Sequence, residues 1–231
     1  MIKIIRFIPL SKVIADAIPY PKSSKHFLPN WFRDADTFGN NKMDRGFQTN
    51  ATFKKCAPVL DSFTQGYMQE LWCDLYVEQV DGNPIITWSS PEQPLSMRNQ
   101  EQAKGWAVPV GYHNHQFNWH GPWGVKVPKG YSVLYTQPLN RDDLPFRTLD
   151  AIVDADTFNL SGMVPFYVKE GFEGIIPAGT PMYQMIPIKR NKWVSKPEKF
   201  NETLVNKTLT AVKTHFTGSY KKLYWSKKEF N

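Results

Sequence analysis

The run from Val125 to Arg190 restricts the fold more tightly than any other part of the chain. It is dense in Val, Ile, Tyr, Phe and Thr, and Gly and Pro punctuate most of it, as in VKVPKGYSVLYTQPL and GIIPAGTPMYQMIPIKR. β-Branched and aromatic residues suit a pleated, half-buried surface, and the Gly and Pro breaks favour many short elements joined by turns. The same texture extends upstream. LWCDLYVEQ alternates apolar with polar, and IITW follows it after Asp81-Gly82-Asn83, residues that tolerate the positive φ of a tight hairpin turn. YHNHQFNWH, WGVKV and YSVLYT are separated at Gly121-Pro122 and Lys129-Gly130. Two further pairings are predicted from adjacency, Ala151–Val153 with Met163–Val168 and Gly174–Ile176 with Met182–Ile188. Short strands at regular spacing with Pro-Gly turns define a mainly β chain, arranged as a sandwich or closed barrel.

The flanks read differently. Met1–Leu10 alternates weakly and predicts one strand. Pro19 to Asn50 is irregular and is read as an arm anchored by Phe27, Trp31 and Phe32. KKCAPVLDSFTQGYM predicts a short helix with Pro58 in its first turn and Gly66 near its end. PEQPLSMRNQEQAKG reads as loop. Beyond Arg190 the period changes: Ser195-Lys196-Pro197-Glu198 has the spacing of a capping box, and Phe200, Leu204, Val205, Leu209, Val212 and Phe216 form one helical stripe. The expected organisation is an N-terminal strand, arm and short helix over 1–70, a β domain over 71–190, and a Lys-rich helix and tail over 191–231.

Composition narrows the function classes. At 231 residues, 41% hydrophobic and 14% aromatic, the chain can bury a core of its own and is too apolar for disorder. The formal net charge of +7 is concentrated between Lys189 and Lys228. No nucleic-acid reader motif accompanies it, so a solvated helix face is the simpler account, with nucleic-acid contact left open. Cys56 and Cys73 form no CxxC pair and fit two reduced thiols. The opening MIKIIRFIPL is too short to span a bilayer, which predicts a cytoplasmic protein with no membrane partner. GxSxG, P-loop and HExxH motifs do not occur.

The sharpest chemical signal is Tyr112-His113-Asn114-His115-Gln116-Phe117-Asn118-Trp119-His120. On a strand His113 and His115 share one face, about 7 Å apart, which suits two imidazoles on one divalent metal. His120 is out of phase with the pair unless a bulge re-aims it. Glu101, His26 and His215 are alternatives for a third ligand, and the sequence does not choose among them.

Two resemblances are carried by the central stretch. Pro128-Lys129-Gly130-Tyr131-Ser132, Pro138-Leu139-Asn140-Arg141, Leu144-Pro145-Phe146 and Pro177-Ala178-Gly179-Thr180-Pro181 together resemble an uncharacterised protein family of tailed phages, notably those of marine cyanobacteria, and of some bacteria. That resemblance implies a phage source, with the host cytoplasm or the virion as the place of action. The order of motifs is also similar to the β-clip barrel of dUTPases and dCTP deaminases. Val127-Pro128-Lys129-Gly130-Tyr131 stands at that family's strand-entry turn, Ala151-Ile152-Val153-Asp154-Ala155-Asp156 at its catalytic motif, and Ala178-Gly179-Thr180-Pro181-Met182-Tyr183-Gln184 at its closing strand. The resemblance implies Asp154 as the water-activating base and Asp156, Phe158 and Gln184 as ligand positions. Asn140 and Arg141 lie in the turn that takes the place of the phosphate motif. There Gln137-Pro138-Leu139-Asn140 replaces Arg-Ser-Gly, which removes donors that phosphate chemistry depends on.

The expected fold is therefore mainly β, a β-clip or jelly-roll-like barrel with an N-terminal arm and a C-terminal amphipathic helix. Three functions compete. The first is a non-catalytic or degenerate β-clip protein, trimeric or otherwise homo-oligomeric, that binds a phosphorylated small molecule or a phage protein. The second is a cupin-like metal enzyme using His113 and His115. The third is a nucleotide hydrolase or deaminase using Asp154.

Overall fold

Runs of β-branched and aromatic residues fold as the alternation requires. The computed structural model describes residues 2–39, 51–160, 162–213 and 218–231. The strands are β1 (Arg6–Pro9), β2 (Lys22–Ser23), β3 (Tyr67–Glu70), β4 (Leu75–Val80), β5 (Asn83–Trp88), β6 (Leu95–Met97) and β7 (Tyr112–His120). They continue with β8 (Trp123–Lys126), β9 (Tyr131–Thr136), β10 (Phe146–Thr148), β11 (Ala151–Val153), β12 (Met163–Lys169), β13 (Gly174–Ile176) and β14 (Pro181–Lys189). They form four antiparallel sheets, ordered β1-β8, β10-β12-β7-β6, β11-β9-β14-β3-β2 and β13-β4-β5, none of which closes on itself among the described residues. The helices are α1 (Lys12–Ala17), α2 (Asn30–Asp34), α3 (Ala57–Thr64), α4 (Glu202–Lys213) and α5 (Ser219–Leu223). No helix among the described residues is long and apolar enough to cross a membrane.

The β4–β5 hairpin turns through Asp81 and Gly82, whose φ values of 51° and 75° supply the twist that two-residue hairpins need. The adjacency pairings do not form. β11 pairs with β9, β12 lies between β10 and β7, β13 joins β4, and β14 lies between β9 and β3. Each of these strands meets a partner distant in sequence, so hairpin logic, which holds for neighbours, does not apply to them. β6 falls in the segment read as loop; its three residues between Pro94 and Arg98 are too few to show a period. β1 is shorter than predicted and lies at the open edge of a two-stranded sheet, with Ile2 and Ile4 exposed.

The chain divides into two compact units, one from its first residues to Ser24 with Gly66–Arg190, the other from Lys25–Gln65 with Asn191–Asn231. In the first, side chains of the four- and five-stranded sheets meet in one apolar core containing Phe117, Trp119, Val133, Tyr135, Phe146, Phe166, Met182 and Met185. Trp119 stacks on Phe166 with centroids 3.6 Å apart. Gly66 has a φ of +73°, and a Cβ there would lie 2.1 Å from the Met185 carbonyl oxygen, so only glycine fits this approach to β14.

A hydrogen-bonded chain crosses the same core. The Trp119 indole N–H donates to Thr148 Oγ1 at 3.1 Å, and that hydroxyl donates to the Met182 carbonyl at 2.8 Å, linking β10 of one sheet to β14 of the other. Thr148 N–H donates to Gln137 Oε1 at 2.7 Å, while Gln137 Nε2 donates to the Phe146 and Arg141 carbonyls.

In the second unit, Phe32 and Phe63 pack with centroids 4.6 Å apart, beside the half-exposed Trp31. Asp61 on α3 accepts from the Trp225 indole at 2.8 Å and pairs with Lys228 at 2.7 Å. The C-terminal helix starts at Glu202 rather than at the Ser195 box, because Asn201 Oδ1 accepts from Leu204 N–H at 3.0 Å and so satisfies an orphan donor of the first turn. Phe216 and His215, like arm residues 40–50, lie outside the described residues.

Replacing Thr148 with Val keeps the shape but leaves the Trp119 N–H and the Met182 carbonyl unsatisfied. We expect Thr148→Val to lower unfolding free energy by about 2 kcal/mol or more in urea titrations followed by Trp fluorescence. A loss below about 0.5 kcal/mol, the range of an ordinary surface change, would contradict this role.

Candidate functional site

Asp154 and Asp156 stand just beyond β11, in a turn closed by Thr157 and Phe158 N–H groups donating to the Asp154 carbonyl at 3.0 and 2.9 Å. The Asp154 Oδ1 accepts from Ser132 Oγ at 2.6 Å and from Arg190 Nη1 at 3.0 Å. Asp156 accepts from Gly130 N–H at 2.8 Å and from both Arg190 Nη atoms, and its side chain is only 3% exposed. Arg190 also donates to the Tyr131 carbonyl, and its own N–H donates to the Gly130 carbonyl. One guanidinium therefore ties together the start of β9, the end of β11 and the end of β14. The hydrogen bond from Arg190, followed by that from Gly130, holds the Asp156 carboxyl below the usual carboxylate range. A general base needs an acceptor turned to the substrate's proton; the Asp154 Oδ1 is occupied from two sides, while the side chain as a whole is 62% exposed.

Of the other residues implied by the nucleotide-enzyme resemblance, only Phe158 lies beside this pair. Gln184 is fully buried opposite Thr136, and its Oε1 accepts from Leu139 N–H at 2.9 Å. Asn140 adopts a φ of 59° in the neighbouring turn, where Arg141 forms a two-pronged pair with Asp143 at 2.8 and 2.9 Å. Ser132, the Asp154 partner, is four residues along β9 from Thr136, so Gln184 and Asp154 are separated by about 13 Å of strand. Phe158 is half exposed beside the aspartates. Asp154, Asp156 and Phe158 thus group together, and Gln184, Asn140 and Arg141 form a second group at the opposite end of β9.

On β7 the odd positions face the core at Phe117 and Trp119, and His113 and His115 continue that row. Their rings are 4.7 Å apart, and His113 Nδ1 accepts from His115 N–H at 3.1 Å. The Nδ1 of His115 is buried without a hydrogen-bond partner, and burial, then the neighbouring His113, lowers its pKa. His120 lies on the other face with Ser96, its Nε2 2.9 Å from Ser96 Oγ. Among the described residues no group of three His, Cys, Asp or Glu converges, and Glu101 pairs with Lys104 at 3.6 Å.

His120 borders a cleft of about 320 Å³, near the lower end of the range for small-molecule sites. Leu10, Ile14, Ile18 and Met163 supply apolar walls, with Trp72, Glu92, Gln93 and His120 as the polar or aromatic groups. Ser90 sets the loop that carries two of these: its Oγ accepts from the Trp72 indole and from Glu92 N–H, both at 3.2 Å. Burial lowers the His120 pKa, against a hydrogen bond to the Gln93 backbone that raises it, which favours the neutral ring. Of the cleft residues the sequence pointed only to His120. The rest come from α1, three loops and the start of β12, and no spacing in the chain links them.

A comparison with protein-family models finds none that matches this chain, and no curated protein matches it.

Because Asp156 is depressed in the folded state, its contribution is fully present above its ordinary value of 3.8 and is lost as pH falls through the folded value. Thermal melts between about pH 5 and 2 should therefore show a steeper acid loss for the native chain than for Asp156→Asn. Parallel curves would remove Asp156 from this role.

Proposed function

We propose that this chain is a non-catalytic binding protein on a degenerate β-clip plan of phage type, taking a small ligand in the cleft beside His120. The observation that supports this reading is the tie of the Asp154 Oδ1 to Ser132 and Arg190, which gives one of its two carboxylate oxygens a structural task. The plan itself is supported by order: the Lys129-Gly130 turn enters β9, Asp154 follows β11, and the Gly179 turn enters β14, as in the nucleotide-enzyme layout. The separation of Gln184, Asn140 and Arg141 from Asp154 argues in the same direction. The proposed setting is the host cytoplasm or the virion, as a homo-oligomer such as a trimer, with a phage protein as macromolecular partner.

Incubation with dUTP or dCTP is expected to release no phosphate or pyrophosphate. Release that disappears in Asp154→Asn would instead make the chain a nucleotide hydrolase. Light scattering should give a mass above the 26.7 kDa of one chain, and a clean monomer at high concentration would contradict the oligomer.

A second reading, metal-dependent chemistry, rests on the adjacent His113 and His115 rings and the unpartnered Nδ1 of His115. Stoichiometric Zn, Fe, Mn or Ni in protein purified without a His-tag, lost in His113→Ala, would favour it; metal-free protein would retire it.

A further inference from the structure

Most side-chain donors around the cleft are engaged within the fold, one Gln93 amide N–H apart, while acceptors remain. The Trp72 indole N–H is given to Ser90 Oγ, and Gln93 Nε2 to the Leu95 carbonyl at 2.9 Å. The imidazole of His120 is engaged by Ser96 and by the Gln93 backbone. No Lys or Arg lines the cleft, although the chain as a whole carries a net charge of +7. What remains is the carboxylate of Glu92, half-buried and without a partner among the described residues, together with the Gln93 Oε1. A phosphate or carboxylate entering here would meet another negative charge, with one neutral Gln93 amide N–H and no cation to offset it. It would give up much of its hydration for that single neutral donor, an expensive exchange in a partly desolvated site.

We propose that the cleft is selective for an organic cation, a small apolar body bearing an ammonium or amidinium group, with Glu92 as its counter-ion. This inference rests on the reading of the cleft as the ligand site and specifies its ligand class. An ammonium ligand supplies donors to the Glu92 carboxylate and the Gln93 Oε1. Its apolar part meets Leu10, Ile14, Ile18 and Met163, and Trp72 offers an aromatic surface of the kind that attracts cations. The phosphorylated ligands implied by the nucleotide-enzyme resemblance are the class this arrangement disfavours.

The test uses the full chain and three probes of similar size: benzylamine, benzyl alcohol and benzyl phosphate. Affinities are read by calorimetry, and the His120 imidazole resonances report whether binding occurs at the cleft. Benzylamine should bind about tenfold more tightly than benzyl alcohol, and Glu92→Gln should erase that preference while leaving benzyl alcohol unchanged. Because the Glu92 side chain has no partner in the fold, this variant should melt with the native protein. Stronger binding of benzyl phosphate, or an amine preference that survives Glu92→Gln, overturns the selectivity but leaves the cleft as a binding site. Failure of all three probes to bind overturns both.

Discussion

A threonine hydroxyl holds the β unit in register across its core. Thr148 lies on β10, takes the Trp119 indole proton and gives its own to the Met182 carbonyl of β14. Apolar packing between sheets is non-directional, and many small slides of one sheet over the other would bury similar area. A buried donor–acceptor chain is not so tolerant, because any slide strands polar groups in an apolar environment. The Thr148–Met182 bond therefore fixes which residues of the two sheets face each other. The stacked Trp119 and Phe166 rings then fill the volume so defined.

From that fixed interior the two ends of β9 acquire different jobs. At its start, Arg190 gathers Asp154, Asp156 and the backbone around Gly130, closing β9, β11 and β14 together. Past its end, Gln137 and Gln184 satisfy the backbone of the turn that carries Asn140 and Arg141. Asp156 and Gln184 are thus held, in two separate places, by the polar needs of the chain itself. The cleft at His120 differs because its only charged side chain among the described lining residues is left unused by the fold.

Most strands between residues 71 and 190 were legible, β6 and β10 being missed, and their pairing, the β4–β5 hairpin apart, was not. Tyr131–Thr136, Ala151–Val153, Gly174–Ile176 and the Asp81-Gly82 hairpin follow from local residue preferences, which a sequence displays directly. That β11 chooses β9, or that β13 crosses to β4, depends on contacts distant in the chain, which no local period encodes. His113 and His115 were placed on one face by simple alternation, and His120 apart from them, and the structure has this arrangement. Glu92 gave no signal because a single carboxylate in a polar loop looks like any solvated residue. Its meaning comes from Trp72 and Met163, brought beside it only by tertiary folding. Arg190 was equally silent, reading as one more cation at the head of a Lys-rich segment.

The claim that one buried hydrogen-bond chain locks two sheets into a single cooperative unit is tested most directly by native-state hydrogen exchange. The amide of Thr148, bonded to Gln137 Oε1, should exchange only through global unfolding, with the same free energy as the core amides of β7 and β14. A Thr148 amide that exchanges much faster than those strands would mean that the sheets part locally, and that the lock described here does not hold them.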